Sequence, residues 1–205
     1  MLNAVFAQAK WLYNISYVQL KRQMEIIMKC ISMLRGINVS GQKRIKMKDL
    51  KTLYESIGFS NVITYIQSGN VIFECHDTEF IESKNQIEKA IRQTLNFPVT
   101  VMIRTLNEFQ NIIQNNPFLR DRNEDIKKLH VTFLSDAPLE SSLNGIETVT
   151  DKSDEFVIDG REIYILCNKG YGRTKLTNSF FERKLNVSAT TRNWKTAQEL
   201  YTLSK

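Results

Sequence analysis

The chain has 205 residues, of which 42% are hydrophobic and 24% charged, and its formal net charge is +6. This length suits one large domain or two small ones. No apolar run approaches the roughly 18 residues of a membrane-spanning helix, so no membrane partner is predicted. Residues 105–167 hold six Lys or Arg against twelve Asp or Glu, whereas residues 168–205 hold eight against two. This basic C-terminal segment favours an anionic partner, although solvated surface charge gives the same pattern.

The three cysteines, Cys30, Cys75 and Cys167, are scattered and odd in number. This usage is typical of reduced thiols in a cytoplasmic protein and argues against a disulfide framework. The sequence has two histidines and contains neither a CxxC pair nor an HExxH motif. We therefore predict no metal site and no cofactor.

Residues 1–27 do not follow the pattern of the rest of the chain. They contain no acidic residue before Glu25, and Met24 and Met28 stand directly ahead of the first confident strand. The segment also lacks the apolar centre of a signal peptide. We interpret it as an N-terminal extension that arises from a mis-assigned start, with the working protein beginning near Met28. An amphipathic leader or an added helix is the alternative.

From residue 28 to residue 104 the spacing of apolar residues predicts the order strand, helix, strand, strand, helix, strand. Gly58 ends the first helix, and Ser68-Gly69-Asn70 is typical of a hairpin turn. This order is the split βαβ, or ferredoxin-like, arrangement. The predicted elements are Cys30–Arg35, a helix from Met47 to Ile57, the hairpin of Val62–Gln67 and Val71–Phe73, a helix from Asp77 or Thr78 to Leu95, and Val99–Arg104.

The remaining chain repeats this order after a helical connector, residues 105–128. Thr105-Leu106-Asn107-Glu108 is typical of a capping box that opens a helix. The second half, residues 129–205, ends with an appended helix. Its predicted elements are Leu129–Leu134, a short helix near Pro138–Leu143, the hairpin of Phe156–Ile158 and Ile163–Leu166, a helix from Asn178 to Leu185, an extended piece at Ser188–Thr191 and a helix from Trp194. We predict an α+β protein of two tandem ferredoxin-like halves without residue-level identity between them.

Strand order places two polar stretches of the N-terminal half at one edge of its sheet. In the order 4-1-3-2, strands one and two point the same way, so the loop after Arg35 lies beside the hairpin turn. A guanidinium, amide side chains and glycine-permitted turns suit an anion or a polar ring, but they provide no general base. The alternative is that these side chains only hold the loop in place. The candidate ligand-binding residues of this N-terminal rim are Arg35, Asn38, Gln67, Ser68 and Asn70, with Lys43, Arg44 and Lys46 as a basic extension.

The same reasoning defines a C-terminal rim. Strand three of the second half leads into a glycine-rich basic loop ahead of a helix, and strand four ends just ahead of the last helix. Two helix N-termini with basic side chains favour an anion, although the spacing is not that of a Walker loop. The candidate ligand-binding residues are Lys169, Arg173, Lys175, Arg192 and Lys195, and Tyr171 and Trp194 are candidates for stacking on a base. Because Trp194, Ala197 and Tyr201 share helical spacing, a buried face is the alternative.

Four motifs in this order resemble the domain-of-unknown-function 1697 family of mostly bacterial proteins. They are Met33–Gly41, Gln67–Phe73, Gly170–Leu176 and Thr190–Thr196. The resemblance extends from about residue 28 to the end and implies an α/β protein of ferredoxin-like halves without an established activity. Ser40 stands where the family usually has glycine, and residues 1–27 lie outside the family pattern.

The leading functional hypothesis is a binding module for a phosphate-bearing ligand, either a nucleotide or a nucleic acid. An enzyme that acts on a small polar substrate at the rim of Arg35 and Gln67 is the alternative, but no catalytic residue is assigned because a general base is missing. A homodimeric interaction protein is a third hypothesis. The sequence does not decide whether the two rims face one cleft.

Overall fold

The computed structural model describes residues 26–39, 41–144, 146 and 154–205. The interpretation of residues 1–27 as an extension therefore lies outside the described residues, apart from Ile26 and Ile27. The departure of Ser40 from the family pattern lies outside them as well.

The first half forms a four-stranded antiparallel sheet with strand order β2-β3-β1-β4. Strand β1 is buried on both faces, because Cys30 and Leu34 point to one side and Ile31 and Met33 to the other. The elements are β1 (Ile27–Leu34), α1 (Met47–Ser56), β2 (Ser60–Tyr65), β3 (Asn70–His76), α2 (Asp77–Leu95) and β4 (Val101–Thr105).

The second half forms a second four-stranded antiparallel sheet, of order β6-β7-β5-β8. The strand order predicted from the sequence is therefore the order that both sheets have, and the chain is an α+β protein. The elements are α3 (Leu106–Gln114), α4 (Pro117–Arg120), a 3₁₀ turn (Ile126–Lys128), β5 (Leu129–Leu134), α5 (Glu140–Leu143), β6 (Asp154–Asp159), β7 (Glu162–Cys167), a 3₁₀ turn (Tyr171–Arg173), α6 (Asn178–Leu185), β8 (Ala189–Asn193) and α7 (Trp194–Leu203).

The two sheets share a central core. Helices α3 and α7 lie between them and contribute Phe109, Ile112, Trp194 and Leu200 to this core, which also contains Ile31 of the first sheet and residues of the second. Helices α1 and α2 cover the outer face of the first sheet, and α6 covers that of the second. Helix α3, predicted only as part of a connector, is thus a layer that joins the halves.

Side-chain caps fix the starts of the two central helices. The Thr105 hydroxyl accepts the N–H of Glu108 at 3.2 Å, and the Glu108 carboxylate accepts the N–H of Thr105 at 2.7 Å, which confirms the predicted capping box. Asn193 caps α7 by accepting the N–H of Thr196 at 2.8 Å. Each cap directly follows an arginine, Arg104 in β4 and Arg192 in β8.

Candidate functional site

The N-terminal and C-terminal rims face each other across one cleft of about 720 Å³. We call it the interhalf cleft. Its first wall consists of Arg35, directly after the C-terminal end of β1, together with Lys43 and Ser68. Its second wall consists of Tyr171, residues 177–179 at the start of α6, and residues 190–192 of β8. The structure therefore brings Arg35 and Ser68 of the N-terminal rim together with Tyr171 and Arg192 of the C-terminal rim.

Arg192 joins the two walls and is only 8% exposed. Its five N–H groups all donate hydrogen bonds within the protein. Those to the first wall go from Nε to Asn70 Oδ1 at 2.5 Å and from Nη2 to the carbonyls of Leu34 at 3.1 Å and Ser68 at 2.9 Å. Those within β8 go from Nη1 to the Thr190 hydroxyl at 2.8 Å and the Thr191 carbonyl at 3.0 Å. Arg192 was predicted to contact a ligand, but with these bonds in place it holds the walls of the cleft together.

The charge of Arg192 has no carboxylate among these five partners. Burial lowers the pKa of its guanidinium to about 10, which still leaves it protonated at neutral pH. Carbonyl and amide dipoles satisfy its hydrogen bonds without cancelling its net charge. The floor of the interhalf cleft therefore carries a buried positive charge.

Arg104 occupies the equivalent position in the first half. Leu34 at the end of β1 pairs with Val101 of β4, and Arg104 lies three residues after Val101. In the same way, Leu134 at the end of β5 pairs with Ala189 of β8, and Arg192 lies three residues after Ala189. Arg104 Nη2 donates to the carbonyls of Leu134 at 2.9 Å and Arg161 at 3.1 Å, which mirrors the bonds from Arg192 to the first half. Each arginine thus reaches from its own half into the other.

The two arginines differ in the partner of Nε. Arg104 Nε donates to Glu162 Oε1 at 2.5 Å, whereas Arg192 Nε donates to Asn70. Glu162 pairs with Phe133, the penultimate residue of β5, and Asn70 pairs with Met33, the penultimate residue of β1. Glu162 and Asn70 therefore occupy equivalent positions in the two sheets. An amide therefore stands beside Arg192 where the equivalent position beside Arg104 has a carboxylate.

A second cation of the cleft, Arg35, forms a bidentate ion pair with Glu182 of α6 across the two halves. Burial alone would raise the pKa of Glu182, but hydrogen bonds from Arg35 and from the Ala189 N–H at 3.0 Å hold this pKa below its ordinary value. The pair lies at the mouth of the cleft, where 31% of the Arg35 side chain and 22% of the Glu182 side chain are exposed.

The turn Ser68-Gly69-Asn70 needs glycine at its centre. Gly69 has a φ of +76°, and a Cβ atom there would lie 2.5 Å from Cδ1 of Ile37. The turn can therefore lie close to the C-terminal end of β1, where the Leu34 N–H donates to the Gly69 carbonyl at 2.8 Å. This approach brings the Ser68 carbonyl within reach of Arg192.

Three predicted residues of the N-terminal rim do not contact the interhalf cleft. Asn70 is fully buried, and its amide donates to the Tyr65 carbonyl at 3.1 Å and the Ser68 hydroxyl at 3.0 Å. The Asn38 amide ties the loop by donating to the carbonyls of Ile45 at 3.0 Å and Gln67 at 2.8 Å. Gln67 is exposed and lines a different cavity, of about 700 Å³, together with Asn38. For Asn38 the loop-holding alternative is the one observed.

The predicted stacking role is wrong for Trp194. This side chain is fully buried in the central core between the sheets, because helical spacing turns it inward with Ala197 and Leu200. Tyr171 does line the cleft and is half-buried, with its ring stacked on His130 at a centroid distance of 4.7 Å. Burial raises the pKa of the Tyr171 hydroxyl and lowers the pKa of His130. Tyr171 and His130 are therefore both uncharged near pH 7.

The exposed cations of the C-terminal rim lie outside the lining of the cleft. They are Lys169, Arg173, Lys175 and Lys195. Sequence reasoning missed Glu182, since nothing near it in the chain indicates that it pairs with Arg35. It also missed Arg104, although the succession of arginine, polar cap and helix at Arg104-Thr105 and Arg192-Asn193 was a usable signal.

Across the described ranges, no group of three or more His, Cys, Asp or Glu side chains could hold a metal ion. No helix in this part of the chain is long and apolar enough to cross a membrane.

These features define an α+β protein that has two antiparallel sheets and a basic cleft between its two halves. The chain belongs to the family described as a protein of unknown function (DUF1697), whose model matches residues 27–164. The family predicted from the four motifs is thereby confirmed, and the matched region ends ahead of the two C-terminal motifs.

Among solved structures, the chain is similar to the conserved bacterial protein SP0830 from Streptococcus pneumoniae. The identity is 21% and the TM-score 0.69, and the alignment covers 88% of this chain and 100% of that chain. At this identity the likeness shows the fold alone. A comparison with curated proteins gave no match.

Proposed function

We propose that the interhalf cleft binds a phosphate-bearing ligand of nucleotide size. The observation that carries this proposal is the uncompensated charge of Arg192, since the equivalent Arg104 is neutralised by Glu162 and Arg192 is not. At an effective dielectric constant of about 20, two unit charges about 4 Å apart attract each other by roughly 4 kcal/mol. Because the five N–H groups of Arg192 bond within the protein, this guanidinium would attract an anion through its charge and not through a hydrogen bond.

The groups that would touch the ligand are the side chains that line the cleft and reach solvent. The first wall has Lys43, whose Nζ donates to the Pro98 carbonyl at 2.8 Å, and Arg35, which is paired with Glu182. The second wall presents Thr177, Asn178 and Ser179 at the N-terminus of α6. Helix N-termini favour anions, and hydroxyl and amide groups hydrogen-bond a sugar or a base. The cavity volume lies within the roughly 300–1,000 Å³ that is usual for small-ligand sites.

Calorimetric titration tests this function with inorganic phosphate, a nucleoside monophosphate and the corresponding nucleoside. The phosphate-bearing ligands should bind, their affinity should fall as the salt concentration rises, and the nucleoside should bind more weakly. If neither phosphate-bearing ligand binds at low salt, the proposal is wrong.

We further propose that each half is a ferredoxin-like unit, on the basis of its strand order and the arrangement of its helices. A cytoplasmic location remains our proposal, supported by three buried cysteines that form no disulfide.

A further inference from the structure

Resting on the proposed function, we propose that the interhalf cleft takes one nucleotide of a single-stranded nucleic acid, and that exposed cations beside the cleft hold the phosphates of the neighbouring nucleotides. The proposal follows from where these cations lie relative to the second wall of the cleft. We call them the cationic border, which consists of Lys169, Arg173, Lys175 and Lys195.

Two cations of the border flank Tyr171, which lines the cleft. Lys169 lies two residues before Tyr171, and Arg173 lies two residues after it in the same 3₁₀ turn. Both cations are exposed, whereas the Tyr171 ring is half-buried against His130. The lining of the cleft at Tyr171 is therefore continuous with exposed positive charge on both sides along the chain.

The other two cations of the border also follow the lining of the second wall. Lys175 lies two residues before Thr177, and Lys195 lies three residues after Arg192, and both Thr177 and Arg192 line the cleft. The end of β8 near Lys195 lies close to the turn of Tyr171, because Asn193 pairs with His130 and the His130 ring stacks on Tyr171. The four cations therefore gather at one end of the second sheet.

The protein does not neutralise this charge. Residues 168–198 hold seven Lys or Arg and one acid, Glu182, which is paired with Arg35. None of the four cations of the border forms an ion pair with a residue that the structure describes. Asp154 contacts the same loop, but it is buried and accepts the N–H of Asn168 at 2.9 Å. The border therefore offers four cations to an anionic partner.

A single-stranded nucleic acid suits both parts of this surface. A ligand confined to the cleft would not use the cationic border, whereas a strand carries a further phosphate on each neighbouring nucleotide. Proteins that bind single strands place cations along the backbone in this way. The cleft of about 720 Å³ has the size of a site for one small ligand. A nucleotide enters such a site more easily from a single strand than from a duplex, because a paired base must first leave its stack.

Calorimetric titration tests this inference with uridine 5′-monophosphate and a 5′-phosphorylated, single-stranded oligouridylate of about six nucleotides, a length typical of single-strand sites. The oligonucleotide should bind at least about tenfold more tightly at low salt. The slope of the logarithm of its affinity against the logarithm of salt concentration should be steeper by about 2–3, since each phosphate contact of a single strand contributes about 0.7. Saturating uridine monophosphate should weaken the binding of the oligonucleotide, because both place a nucleotide in the cleft.

The double variant Lys169→Gln/Arg173→Gln tests the role of the cationic border. The ratio of oligonucleotide affinity to mononucleotide affinity should fall by about fivefold or more. Lys89→Gln/Arg92→Gln is the matched control, since it removes one exposed lysine and one exposed arginine from α2, outside the cleft lining. It should change this ratio by less than about twofold. Circular dichroism verifies that both variants fold.

The outcomes separate the inference from the proposed function. If neither ligand binds the natural protein, both are wrong. If the monophosphate binds but the oligonucleotide binds no more tightly, or if Lys169→Gln/Arg173→Gln keeps the natural ratio, the role of the border is wrong while the function stands. An RNA duplex or an oligoaspartate of equal charge that binds as tightly as the oligonucleotide would show that the partner is not a single strand. An oligonucleotide that the monophosphate does not displace would show that the border is separate from the cleft.

Discussion

Arg104 and Arg192 are equivalent residues of the two halves, and each donates from Nη2 to two carbonyls of the opposite half. Glu162 neutralises Arg104, whereas Asn70 leaves Arg192 charged at the interhalf cleft. Both Arg104 and Arg192 therefore join the two halves, and Arg192 alone of these two arginines also provides a candidate anion site.

The two arginines should differ in their contribution to stability. Arg104→Met leaves the mostly buried Glu162 without its partner and should cost about 3–5 kcal/mol of unfolding free energy. Arg192→Met removes five hydrogen bonds but strands no carboxylate, so about 2–4 kcal/mol is expected. The double variant Arg104→Met/Glu162→Met should be more stable than Arg104→Met. Urea denaturation measures all three, and a double variant less stable than Arg104→Met would contradict this account of the pair.

The stabilising effect of Glu182 should disappear in acid. Since the pKa of Glu182 is below its ordinary value in the folded protein, its ion pair stabilises the fold above about pH 4.3, and this contribution is lost as the pH falls through the lower folded value. For a partly exposed pair we expect a difference in unfolding free energy of about 0.5–1 kcal/mol between the natural protein and Glu182→Gln at pH 7, and this difference should shrink as the pH falls below about 4.3. Chemical denaturation at several pH values measures this difference. A difference in unfolding free energy that grows in acid would contradict this account of the ion pair between Arg35 and Glu182.

Gly69 and Gly160 form a matched pair for backbone and steric effects. Both residues have positive φ, +76° at Gly69 and +57° at Gly160. A Cβ atom added at Gly69 would collide with Ile37 and Leu34, whereas a Cβ atom added at Gly160 would have no atom within 4 Å. Gly160→Ala should cost about 1 kcal/mol, from backbone strain alone. Gly69→Ala should cost roughly 2–4 kcal/mol, because the turn must also move away from β1. Equal losses in urea denaturation would show that the close approach at Gly69 has no energetic consequence.

The order of helices and strands could be predicted because each of its signals is local. The apolar residues of β1 and the capping box of Thr105 and Glu108 depend on neighbours in the chain. Strand order alone also predicted that Arg35 and the turn at Ser68 lie at the same edge of the first sheet. The role of α3 was not predicted, since the placement of Phe109 between two sheets depends on the second half.

The details of the site depend on contacts between residues that are distant in the chain. Sequence spacing does not distinguish the buried Asn70 from the exposed Gln67, because the difference lies in which side chain meets Arg192. The pair of Arg35 and Glu182 joins residues 147 positions apart. Trp194 shows the converse case, since its helical spacing indicated the buried face that the structure has.

The central claim, that the uncompensated charge of Arg192 attracts an anion, is tested most directly by Asn70→Asp. This change places beside Arg192 the carboxylate that Arg104 already has. It also removes the amide hydrogen bond to the Tyr65 carbonyl and sets a carboxylate oxygen against that carbonyl, at a cost of roughly 2–3 kcal/mol. Gln67→Glu adds the same charge outside the interhalf cleft and is the control. In calorimetric titration with a nucleoside monophosphate, Asn70→Asp should weaken binding at least about tenfold and Gln67→Glu by less than about twofold. A folded Asn70→Asp protein that binds the nucleotide as tightly as the natural protein would contradict the claim.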